Sequence, residues 1–144
     1  MSERSAETEA LRGIPFFAGV TDQDLANMVT IGQKVSFTAG QPIVEKGDPG
    51  DGMYIVLDGK AQVDVGGRYH NLTSGSFFGE MALIGRRKRM ATVTAVEPVT
   101  ALRIPADDFR TFLLGNPSVS VAILEALVDR LREVQDRIDA WIGS

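Results

Sequence analysis

The sequence contains no cysteine and a single histidine, His70. Disulfide staples, thiolate nucleophiles and thiol redox switches are thereby excluded, and one imidazole cannot build the multi-histidine sites of zinc or cupin-type enzymes. Long apolar runs are missing too. The longest, Met53 to Leu57, spans five residues, against the ~20 that a bilayer-spanning helix needs. The polar opening, MSERSAETEA, has no hydrophobic segment of the kind that marks secretion. These absences predict a soluble, cytoplasmic chain that does not insert into a membrane. Nor does one sign of charge dominate: 15 Lys and Arg stand against 19 Asp and Glu, a net charge of −4. That balance argues against a broad nucleic-acid surface. The local exception, Arg86-Arg87-Lys88-Arg89, lacks flanking aromatics or a helix-turn-helix, so its first three residues read as a solvated loop with no direct nucleic-acid role.

What is present suffices for one core. At 144 residues, 44% of them hydrophobic, about two thirds of the unfolded chain's surface can be buried without staples. The expected organisation is a polar lead over residues 1–10 and a single domain over 11–144.

Helical signals flank a middle rich in glycine and β-formers, the pattern of an α+β domain. Thr21-Asp22-Gln23-Asp24 has the form of a capping box and predicts a helix from about Asp22 to Val29. Between Val35 and Ile104, short runs such as Met53 to Leu57, Ala61 to Val65 and Ala91 to Val96 are separated by Gly, Pro and Asp. Six or more such strands imply a sandwich or barrel. Gly66-Gly67 reads as a tight hairpin, and Gly47-Asp48-Pro49-Gly50-Asp51-Gly52 as a turn whose Asp side chains bond nearby amides. A helical stretch begins at Pro105 and stops at Gly115. Asn116-Pro117 then offers an N-cap and a first-turn proline for a long helix over 116–142. Within it Leu124, Leu127, Leu131, Val134, Ile138 and Trp141 recur at heptad spacing, which reads either as a seam for a homodimer or as a stripe packed over the barrel. Val128 and Ile142 widen the stripe.

The chemistry is densest between Gly75 and Val93. Gly79 allows a close backbone approach, Glu80 to Ile84 can form one helical turn, and Arg89 can meet an anion with a bidentate, charge-assisted bond. Glu80 is the informative oddity, because a carboxylate beside a phosphate repels it unless it has another task. Accepting a sugar hydroxyl would be such a task. Phosphate on Arg89 and ribose on Glu80 together specify a nucleotide whose phosphate and ribose lie close.

Phe78-Gly79-Glu80-Met81-Ala82-Leu83, with Arg89-Met90-Ala91-Thr92-Val93 placing the arginine nine residues after the glutamate, resembles the phosphate-binding cassette of the cyclic nucleotide-binding domain family. The family includes the catabolite activator protein and the regulatory subunits of cAMP-dependent protein kinase. The likeness extends over roughly residues 11 to 135, taking in Leu11 to Phe17, the Gly47-Asp48 turn with Tyr54-Ile55-Val56 and Gly59, and Asp108-Phe109 through Asn116-Pro117.

The resemblance implies a β jelly roll with N-terminal helices, a short cassette helix, and hinge and long helices at the C-terminal end. It implies that the segment Gly79, Glu80, Met81 and Ala82, with Arg89, Met90 and Ala91, holds phosphate and ribose. Val63 and Tyr69 would lie near the base, and Val134 or Gln135 on the last helix would cap it. Members preferring cGMP tend to carry a hydroxyl residue after the cassette arginine. Met90 stands there, which favours cAMP. No catalytic residue, metal or cofactor beyond this ligand is expected, and His70 reads as an ordinary strand residue rather than a haem ligand. The implied function is a sensor that repositions its last helix, with output through an effector protein or a domain outside these residues. The alternative is a jelly roll that has lost its ligand and serves as a dimerisation scaffold.

Overall fold

The β-forming runs between residues 33 and 105 condense into two antiparallel sheets in the computed structural model, which describes residues 3–85 and 88–143. The strands are β1 (Gln33–Phe37), β2 (Pro42–Val44), β3 (Gly52–Asp58), β4 (Ala61–Val65), β5 (Arg68–Leu72), β6 (Phe77–Phe78), β7 (Thr92–Ala95) and β8 (Val99–Pro105). One sheet has the order β1-β8-β3-β6 and the other β2-β7-β4-β5. This is the expected jelly-roll arrangement, with helices gathered at one side.

Strand alternation explains the layering. Successive side chains point to opposite faces, so Met53, Ile55, Leu102 and Ile104 leave the first sheet on one side and meet Leu11, Phe17, Leu25, Phe109 and Ile123 from the helices. Tyr54, Val56, Val99 and Ala101 leave on the other and meet Val44, Ala61, Val93 and Ala95 of the second sheet. The first sheet is therefore buried on both faces. Gly59, at φ +97°, turns β3 into β4, and a Cβ there would collide with the Pro98 carbonyl oxygen. The β4–β5 hairpin forms at Gly66-Gly67, where Gly67 N–H donates to Asp64 Oδ1 at 2.9 Å.

The helices are α1 (Glu3–Arg12), α2 (Asp22–Val29), α3 (Glu80–Gly85), α4 (Ala106–Gly115) and α5 (Pro117–Gly143), with a 3-10 turn at Pro15–Phe17. Thr21 caps α2 by accepting the Asp24 N–H at 3.2 Å. The polar lead is helical from Glu3 onward, as α1, and the end of that helix buries Leu11 completely and packs Ala10 on the same core. Its exit is fixed by Arg12, which donates to Val20 O at 3.3 Å and pairs with Asp22. Asn116 stands at the N-cap position of α5 as expected, its carbonyl accepting the Val119 and Ser120 N–H groups at 3.0 and 3.3 Å, while its side-chain amide donates to Phe112 O at 2.8 Å and so closes α4.

Helix α5 is 27 residues long, yet only its first turns are anchored, through Val119 and Ile123 in the core and Ala122 and Leu127 against it. Every residue from Val128 to Ile142 is exposed. Among the described residues no single helix is long and apolar enough to cross a membrane.

Candidate functional site

Arg89 is the one buried charged residue among those described, at 8% exposure. Such a group is costly unless its donors are matched. Its backbone is clamped first: Arg89 N–H donates to Asp48 O and Gly47 N–H donates to Arg89 O, both at 2.8 Å. The Gly47 to Gly52 turn thus positions the arginine as well as reversing the chain. Its guanidinium then reaches inward, where Nη2 donates to Gly52 O at 2.7 Å and lies 3.5 Å from Asp51 Oδ1. The guanidinium carbon sits 5.8 Å from the centroid of the Tyr54 ring. Tyr54 in turn stacks on Phe78, with ring centroids 5.1 Å apart and an interplanar angle of 11°. One buried donor is unmatched: Arg89 Nε has no hydrogen-bond partner. An unpaired buried N–H on a cation is a standing demand for an acceptor.

A cavity of about 250 Å³ borders the same residue, with Val44, Val63, Phe78 and Val93 as its apolar wall. Gly79, Glu80, Ala82, Lys88, Met90 and Ala91 complete its lining. That volume is just below the ~300–1,000 Å³ of typical small-molecule pockets. Gly79 takes φ +81°, and a Cβ on it would collide with Arg89 Nη1 and lie 2.9 Å from Gly52 O. The absence of a side chain there is what lets the guanidinium occupy its place. The Ala82 N–H is already committed to Gly79 O at 2.9 Å. The first turn of α3 therefore closes on itself rather than offering that amide to a ligand.

Gly79, Glu80, Ala82, Arg89, Met90, Ala91 and Val63, all expected at the site from the sequence, line this one cavity. Met90 is 81% exposed, so its bulk points away from the interior. The Met81 side chain and the basic residues Arg86 and Arg87 lie outside what the structure describes. Three base contacts are not brought here. Tyr69 is 63% exposed. Val63 pairs with His70, so Tyr69, one residue out of phase, stands in the row of Asp64 on the opposite face. Val134 lines a separate groove with Phe16, Leu127, Arg130, Leu131 and Glu80. Gln135 is exposed, with its amide donating to Asp139 at 3.0 Å. Val44, Phe78, Lys88 and Val93 were not foreseen as lining residues, nor were Asp51 and Tyr54 as neighbours of Arg89. No group of three potential metal ligands occurs among the described residues.

Three comparisons bear on this arrangement. A cGMP-dependent protein kinase of Toxoplasma gondii is 44% identical over 89 residues, which cover 60% of this chain and 9% of the kinase. The cyclic AMP receptor protein of Thermus thermophilus is 29% identical over 135 residues, covering 90% of this chain and 62% of that protein. The chain thus spans less than two thirds of either curated relative. Among solved structures, the N-terminal domain of a transcriptional regulator from Streptomyces coelicolor superposes with a TM-score of 0.81 at 31% identity, over 88% of this chain and 95% of that one. The family profile of the cyclic nucleotide-binding domain matches residues 34–116, which include every strand from β2 to β8 together with Gly79, Glu80 and Arg89, and the chain belongs to that family.

Proposed function

We propose that this chain is a cytoplasmic, non-enzymatic sensor domain that binds cAMP in preference to cGMP and answers by moving α5. The observation that carries the reading is the buried Arg89, which has an unpartnered Nε and lines an apolar cavity of about 250 Å³. A phosphate oxygen would satisfy that donor with a charge-assisted bond, while Glu80 accepts the ribose 2′-hydroxyl and Val63 and Val93 flank the base. The named relatives divide between cAMP and cGMP. Met90 favours cAMP, since it brings no hydroxyl to the position where the family's cGMP binders tend to carry one.

Glu80 supplies the link to output. It lines the nucleotide cavity and also the groove beneath Leu127, Leu131 and Val134 of α5. Ligand that draws on Glu80 and α3 therefore biases the seat of α5. This shifts a population only if the two seats differ in ligand affinity. The exposed apolar side of α5 is then a contact surface for a second copy or for an effector.

The test is calorimetry with cAMP, cGMP and AMP on wild type and Arg89→Ala. The expected result is cAMP bound best and the variant weakened about a hundredfold. Wild type that binds no cyclic nucleotide at millimolar ligand overturns the reading in favour of a scaffold, whose association would then be indifferent to nucleotide.

A further inference from the structure

A single lateral row crosses the first sheet: Gln33 opposes Arg103, Arg103 opposes Tyr54, and Tyr54 opposes Phe78. Directly opposed residues in antiparallel strands point to one face. Arg103 therefore shares the inner face with Tyr54, on whose ring Arg89 rests, and with Phe78, which lines the nucleotide cavity. Its side chain is only 20% exposed. Arg103 Nη2 lies 3.2 Å from Asp51 Oδ2, and Nη1 donates to Gln33 Oε1 at 3.2 Å. The other oxygen of Asp51 is the one 3.5 Å from Arg89 Nη2. Two guanidinium groups thus share one carboxylate, and the shorter pairing belongs to the arginine that does not touch the cavity.

The charge count has a direct consequence. Arg89, Asp51 and Arg103 together carry one net positive charge, and a cyclic phosphodiester carries one negative charge. Glu80 and Lys88, also on the cavity wall, are one of each sign. If Arg103 were absent, Asp51 would have Arg89 as its nearest cation, and the cluster facing the phosphate would be neutral. We propose that Arg103 is a positioning residue for the phosphate site: it holds and neutralises Asp51, so that the charge of Arg89 remains available to the ligand. This rests on the nucleotide-binding reading and adds to it a residue outside the cassette that sets phosphate affinity.

The test is cAMP titration by calorimetry of wild type, Arg103→Met, Arg103→Lys, Asp51→Asn and the Asp51→Asn/Arg103→Met double variant, with thermal melting to verify that each folds. Arg103→Met is expected to lose about tenfold in affinity. Arg103→Lys, which keeps the charge, stays near wild type. The double variant, which restores the single net positive charge, recovers most of the loss. A role in packing alone would not be rescued by removing a carboxylate. The loss should also shrink in high salt, because Asp51 is 63% exposed and open to screening. Unchanged affinity in Arg103→Met, or a folded double variant as weak as the single one, overturns the proposal while leaving nucleotide binding intact. Wild type that fails to bind cAMP overturns the underlying reading instead.

Discussion

Gly79 and Arg89 occupy one another's space: a methyl group on Gly79 would collide with Arg89 Nη1. The glycine also takes φ +81°, a region that costs an L-residue about 1–2 kcal/mol. Gly79→Ala should therefore do two separable things. It should lower stability by about 1–2 kcal/mol. It should also displace the guanidinium, which loses a charged hydrogen bond to phosphate and at least about tenfold in cAMP affinity. Chemical denaturation and calorimetry on the same preparation check both, and full affinity in a destabilised variant would show that Arg89 does not need this place.

Glu80 is expected to read the sugar, not the phosphate. Wild type should bind cAMP about tenfold or more tightly than 2′-deoxy-cAMP, the difference of one hydrogen bond to a charged acceptor. Glu80→Ala should bind the two alike, because the group that discriminates has gone. Competition titrations with the two ligands measure this ratio. Unaltered discrimination in the variant would assign the 2′-hydroxyl to another acceptor.

Gly59 allows a control for structure without function. It lies outside the cavity lining, yet its φ of +97° and the collision of any Cβ with Pro98 O make it a fixed point of the β3–β4 turn. Gly59→Ala should lose at least about 2 kcal/mol, or about 7 °C in Tm at this size. The folded variant should bind cAMP as wild type does. A large fall in affinity would tie this turn to the site.

The cassette was legible because its parts are close in sequence: Gly79, Glu80 and Arg89 fall within one short segment, and residue type alone argues for anion and hydroxyl recognition. The surroundings of Arg89 were not. Asp51, Tyr54 and Arg103 reach it through the pairing of β3 with β8 and β6, and register is a tertiary fact that no local spacing encodes. The same cause misplaced Tyr69. The hairpin was readable at Gly66-Gly67, but which of Tyr69 and His70 faces inward depends on a one-residue phase. Helix α1 was hidden by its charge, since among its described residues the apolar core takes in Ala10 and Leu11. Asn116 was correctly seen as a cap, and its side chain had two helix ends within reach.

The long helix shows the same limit and leads to the last prediction. Heptad spacing in the sequence ran through Leu124, Leu127, Leu131, Val134, Ile138 and Trp141. In the fold, Leu127 is half-buried against the core and shares a groove with Val134 beside Glu80. The outward row is instead Val121, Leu124, Val128, Leu131, Ile138 and Ile142, each 47% exposed or more. That row also repeats by threes and fours, with Gln135 in phase at its centre. A polar residue at such a position sets register at some cost in stability. If two copies associate along α5, Val128 belongs in the contact and Val134 does not. Val128→Asp, at a site 47% exposed in the monomer, should leave the fold intact and abolish association. Val134→Asp should leave association unchanged. Sedimentation equilibrium of both variants checks this, and a monomeric Val134→Asp beside a dimeric Val128→Asp would return the contact to the seam read from the sequence.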